Sequence, residues 1–134
     1  MQLTSPELTC CQFHPDGHLI ALGGADKEIK MLDVTTGAIA ATFATADGAP
    51  CSLSFSENGT WLASASAGSG SVAVWDLRKA AVVKTLEFGG AGVRAVAWDW
   101  SAQYLAVVAG GALNVVMYSK SGKKWSELVK RAVV

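Results

Sequence analysis

An all-β fold of three similar four-stranded sheets is predicted by three observations on the 134-residue sequence. Aromatic residues recur at one spacing, with Phe13, Phe55 and Trp98 standing 42 and 43 residues apart and each just before a turn. The turns match in kind, as His14-Pro15-Asp16-Gly17, Ser56-Glu57-Asn58-Gly59 and Asp99-Trp100-Ser101-Ala102; Asp or Asn followed by Gly tolerates the positive φ of tight hairpins. Around the turns, short apolar runs alternate with the period of two that belongs to strands.

The stretch from Phe55 to Lys79 shows the unit in full. Asn58-Gly59 makes the turn, Trp61-Leu62-Ala63-Ser64-Ala65 reads as a strand, and Ser71-Val72-Ala73-Val74-Trp75-Asp76 reads as the next, ending in a Trp-Asp pair. Earlier in the chain, Leu8 to Phe13 opens the first copy, Leu19-Ile20-Ala21-Leu22 follows its turn, and Ile29-Lys30-Met31-Leu32-Asp33 is its third strand. Later, Tyr104-Leu105-Ala106-Val107 and Val115-Val116-Met117-Tyr118-Ser119 repeat the pattern, which sets Tyr118 in the place of Trp75. Fourth strands are expected around Ile39 to Phe43, Val82 to Leu86 and Trp125 to Val129. A period near 42 with four strands per copy falls in the range of about 40–45 residues given for WD repeats. Propellers close with typically four to eight blades, so the copies, over about 8–48, 49–92 and 93–134, read as consecutive blades of a larger, seven-bladed WD-repeat β-propeller. An open stack leaves apolar blade faces in water.

WD blades commonly tie an Asp in the turn between second and third strands to a His, a Ser or Thr, and the Trp. Asp26 holds that turn in the first copy, where a carboxylate can accept backbone N–H groups, but Leu32 replaces the Trp. The second copy has Trp75, Asp76 and Ser66 without the acidic turn residue, and no copy has a Gly-His pair before its first strand. Since a partly satisfied buried network costs more than an apolar one, the blades are expected to be held mainly by apolar packing.

Eleven basic and eleven acidic residues give a formal charge of zero, so bulk nucleic-acid or acidic-membrane binding has no electrostatic case. Lys120, Lys123, Lys124, Lys130 and Arg131 make the C-terminal end locally basic, which reads as a solvated edge. No apolar run approaches the roughly 20 residues of a membrane helix, and residues 1–7 lack the blocks of a secretory signal. Cys10, Cys11 and Cys51 are an odd count without C-x-x-C spacing, which points to buried or half-buried strand residues and not to disulfides or zinc. His14 and His18 are the only histidines, and the first is expected as an exposed turn imidazole. The glycine-rich segments fit no phosphate-binding or nucleophile-elbow pattern. Neither catalytic residues nor cofactor or metal ligands are expected, and a small enzyme with a channel site stands only as a remote alternative. Four residues remain as partner-binding candidates: Arg78, Lys79 and Arg94 at strand ends or the rim, and Trp100 as an aromatic anchor.

The strings from Thr9 to Gly17, Phe55-Ser56-Glu57-Asn58-Gly59 with Leu62-Ala63, and Val74-Trp75-Asp76-Leu77-Arg78-Lys79 with Lys84-Thr85-Leu86 resemble the later blades of the pre-mRNA-processing factor nineteen family. Tyr104-Leu105-Ala106, Gly110-Gly111 and Trp125-Ser126-Glu127-Leu128 agree in order. The resemblance implies a parent that is a nuclear U-box ubiquitin ligase, tetrameric through a coiled coil, whose C-terminal propeller recruits partners. It also implies a scaffold of the spliceosomal NineTeen complex with a part in DNA repair. No U-box or coiled coil is expected in these residues, so what transfers is the propeller's role: binding ubiquitination substrates or spliceosomal partners. A WD scaffold of a trafficking or signalling complex is the alternative.

Overall fold

The computed structural model describes residues 8–45, 48–66, 70–88, 92–99, 103–109, 112–119 and 124–132. Twelve strands form three four-stranded antiparallel sheets, each in simple sequence order. Sheet 1 holds β1 (Leu8–Phe13), β2 (Leu19–Gly24), β3 (Glu28–Asp33) and β4 (Ile39–Ala44). Sheet 2 holds β5 (Pro50–Phe55), β6 (Trp61–Ser66), β7 (Ser71–Asp76) and β8 (Ala81–Glu87). Sheet 3 holds β9 (Val93–Trp98), β10 (Tyr104–Ala109), β11 (Ala112–Ser119) and β12 (Lys124–Ala132).

Alternation along each strand separates two faces, and the sheets stack face on face. Between sheets 1 and 2, Ala21, Ile29, Met31 and Phe43 pack on Leu53, Phe55, Leu62 and Trp75. The rings of Phe43 and Trp75 lie 5.3 Å apart. Between sheets 2 and 3, Ala63, Val72, Val74 and Leu86 pack on Val96, Leu105, Val107 and Val116. Trp61 and Trp98 add a ring contact at 5.9 Å. Sheet 2 is thus covered on both faces by apolar side chains, as expected where buried polar networks are thinned out.

The first strands are neighbours along one side of the stack and are tied by side chains. Ser52 and Ser54 hydroxyls accept the N–H groups of Val96 at 3.2 Å and Trp98 at 3.0 Å. Close approach here needs a residue without a Cβ: one built at Gly23 would stand 2.6 Å from Cys10 Sγ and 2.8 Å from Pro50 Cβ.

Sheet 3 departs from the register read from the sequence. Val116, not Tyr118, stands opposite Leu105, the position that Trp75 holds opposite Leu62 in sheet 2. The cause is the connection: only Gly110 and Gly111 separate β10 from β11, against four residues between β6 and β7. The shorter connection draws the third strand two places along.

Candidate functional site

The Trp-Asp pair of sheet 2 illustrates how local chemistry positions the candidate residues. Trp75 is 7% exposed, and its indole Nε1–H donates to Ser64 Oγ at 3.0 Å. Ser66 was the hydroxyl expected in this place. Since Trp75 pairs with Leu62, the diagonal neighbour on the same face is Ser64, and Ser66 lies one alternation further. Asp76, also buried, turns its carboxylate to the following turn, accepting the N–H groups of Arg78 at 2.9 Å and Lys79 at 3.3 Å. Asp33 repeats this in sheet 1 with the N–H of Thr35 at 2.9 Å. The Thr35 hydroxyl, first among several donors, holds the Asp33 carboxyl below the usual carboxylate range.

Asp26 accepts the Glu28 N–H at 3.2 Å with one oxygen and meets Lys30 Nζ at 2.6 Å with the other. The Lys30 ammonium is the main cause of its lowered pKa, and Asp26 in turn raises that of Lys30. Lys27, next in the turn, takes φ 64°, the left-handed region.

His14 is not the exposed turn residue expected of it. Its side chain is 14% exposed, packs edge-on against Phe55 at 5.0 Å, and donates from Nε2 to Gly59 C=O at 2.9 Å, while Nδ1 accepts the Asp16 N–H at 3.2 Å. The imidazole therefore clasps the turn of sheet 2 from the turn of sheet 1. A Cβ at Gly59 would stand 2.5 Å from the ring, and φ there is 72°. The only sequence hint was the matching place of the two turns, which stack when their sheets do.

A cleft of about 100 Å³ opens between the end of sheet 1 and the Trp75 face of sheet 2. Thr45, Ser64, Ser66, Ser71 and Thr85 give it hydroxyls, Trp75 and Val82 apolar walls, and no lining residue is ionisable. Among the described residues, no group of three or more His, Cys, Asp or Glu is placed to hold a metal ion. Cys10 and Cys51 are half-buried, and burial pushes both thiols up in pKa, whereas Cys11 is exposed on the outer face of sheet 1.

The partner-binding candidates do not converge. Arg78 and Lys79 are exposed in the turn between β7 and β8, whereas Arg94 is exposed near the start of β9, at the opposite end of the sheets. Trp100, Lys120 and Lys123 lie outside the described residues, as do the side chains of Lys124, Lys130 and Arg131.

Comparison with known proteins gives the arrangement its place. A model of the anaphase-promoting complex subunit 4 WD40 domain matches residues 2–58. Pre-mRNA-processing factor 19 of Schizosaccharomyces pombe is 31% identical over 118 residues, 88% of this chain. Pre-mRNA-processing factor 19 homolog 2 of Arabidopsis thaliana is 37% identical over 103 residues, 77% of this chain. The chain folds as part of a WD-repeat propeller and is similar in sequence to one stretch of pre-mRNA-processing factor 19. It spans 24% of the length of the first relative and 19% of the second. Among solved structures, that of U3-55K superposes with TM-score 0.84 at 16% identity, over 99% of this chain and 41% of that one. The Cps50 (Swd1) β-propeller domain, from a source given as Myceliophteria thermophila, superposes with TM-score 0.79 at 24% identity, over 94% of this chain and 40% of that one. These superpositions establish the propeller fold.

Proposed function

We propose that the three sheets, as blades over about 8–48, 49–92 and 93–134, form part of the recruiting surface of a pre-mRNA-processing factor 19-like ubiquitin ligase. In this reading the segment binds ubiquitination substrates or spliceosomal partners of the NineTeen complex in the nucleus, with a further part in DNA repair. The observation that carries it is sequence identity of 31% over 88% of the chain to a protein named for pre-mRNA processing. A WD-repeat propeller is a protein-interaction module, and the described cleft offers hydroxyls and apolar walls, which supports recruitment over chemistry. Transferase activity, which the resemblance attaches to a U-box, is assigned to no residue here.

Affinity capture of the full-length parent from nuclear extract tests this. Splicing factors should be recovered, and charge reversal at Arg78 and Lys79 should lower their yield. Recovery of unrelated complexes alone would overturn it. A second reading, a WD scaffold of a different assembly, draws on the anaphase-promoting complex subunit 4 match over residues 2–58.

A further inference from the structure

The cleft between sheets 1 and 2 holds two buried hydroxyls whose hydrogen-bonding capacity the fold leaves unused. On the face of sheet 2 that meets sheet 1, Phe43 covers Trp75. Further along that face, sheet 1 offers only Ala44 and Thr45, and the cleft opens over Ser64, Ser66 and Thr85. Ser64 is 3% exposed, and its oxygen accepts the Trp75 indole N–H at 3.0 Å. Its own hydrogen has no acceptor among the described residues. Ser66 is 7% exposed, and neither its hydroxyl nor that of Thr85 has a hydrogen bond among the described residues. A buried hydroxyl without a partner is costly, so a group that bonds both serines is favoured here.

Size, spacing and charge narrow what fits. The space of about 100 Å³ compares with ~30 Å³ for one water in the liquid and with at least ~300 Å³ for the sites of drug-sized ligands, so one side-chain-sized group fills it. Ser64 and Ser66, two apart on β6, are spaced about 6.6 Å along the strand, whereas two in-line bonds to a single oxygen span about 5.6 Å. A group with a polar atom at each end therefore bridges them better than one water does. No lining residue is ionisable, so a charged group would lose its hydration without a counter-ion. Glu87, opposite Ser71 and on the same face of sheet 2, adds a carboxylate that disfavours an anion further.

We propose that the cleft takes the side-chain carboxamide of a glutamine in a bound peptide. Ser64 donates its O–H to the amide oxygen, because its own oxygen is already engaged by the Trp75 indole. The amide N–H2 donates to Ser66 Oγ and, at the mouth, to Thr85 Oγ1, since each hydroxyl oxygen has lone pairs to accept with. The two methylenes of the stem lie against the apolar walls of Trp75 and Val82. A peptide is the source because the space ends at one side chain and opens between the end of β4 and β8, where Val82 and Thr85 are exposed and a chain can run past. The inference concerns this cleft and does not depend on which assembly the propeller serves.

NMR of the intact protein, isotope-labelled at tryptophan nitrogen, tests it with N-acetyl-glutamine methylamide as the probe, at up to tens of millimolar and neutral pH. The indole N–H resonance of Trp75, whose acceptor Ser64 the amide engages, should move saturably. Ser66→Ala loses no bond within the described residues, so its fold and free spectrum should persist while the probe binds at least about tenfold more weakly. The corresponding glutamate and norleucine derivatives should bind the wild type at least about tenfold more weakly than the glutamine one, the first for its charge and the second for leaving the hydroxyls unbonded. No saturable movement, as when only water fills the cleft, overturns the proposal. Equal binding of either derivative, or undiminished binding by Ser66→Ala, does the same. Propionamide, a free amide with the same stem, should bind more weakly than the capped residue; equal affinity would overturn the assignment to a peptide.

Discussion

Trp75 concentrates the energetics of the chain in one residue. Its indole is buried against Phe43 and satisfied by Ser64, so Trp75→Ala should cost about 3–5 kcal/mol, read from urea unfolding of the intact protein. Ser64→Ala leaves a buried N–H without its acceptor and should cost about 1–3 kcal/mol, whereas Ser66→Ala spares that bond and should cost less. The Asp26–Lys30 pair gives a pH dependence. The folded-state pKa of Asp26 lies below its unfolded value, so its contribution is present above the ordinary carboxylate range and fades as pH falls through the lowered folded value. In Lys30→Met, the Asp26 carboxyl should titrate closer to its ordinary range by NMR, and that part of the acid sensitivity should shrink. The choice of Ser64 over Ser66 was not legible in the sequence, because both alternate to the same face and only the cross-strand register separates them.

At the level of strands and turns, most of the architecture was legible, because the 42-residue recurrence of an aromatic before a turn fixes where each sheet begins. Sheet 3 shows where such reading stops. Aligning Tyr118 with Trp75 assumes equal connections, and the Gly110-Gly111 link breaks that assumption, leaving Val116 in the core. The His14 clasp escaped for a related reason: a turn reads as exposed until its neighbour is stacked beside it. Two substitutions probe these turns. Gly59→Ala should destabilise by more than about 1 kcal/mol, since it combines the left-handed penalty with a clash on the imidazole. Lys27→Gly should stabilise by up to about 1 kcal/mol by relieving φ 64°. Thermal melts of both variants against wild type check these signs.

For the whole molecule, stability depends on sheets covering one another, as in other repeat arrays whose units contact only their neighbours. Sheet 2 has both faces covered and supplies much of the core, whereas Phe13 of sheet 1 and Tyr104 and Val108 of sheet 3 are exposed. Hydrogen exchange should therefore be slowest for the N–H groups of β6 and β7 and faster for the outer strands β4 and β8; uniform protection across the sheets would contradict this order. The serine bonds across the first strands carry a consequence for recruitment. With the backbone of β9 already engaged by Ser52 and Ser54, an extended peptide has little to pair with along the axis of the stack. The unoccupied ladders run along β4 and β8, where Ile39, Val82 and Val83 face water. A ligand that binds by strand addition would accordingly lie along the circumference and leave the axial passage clear.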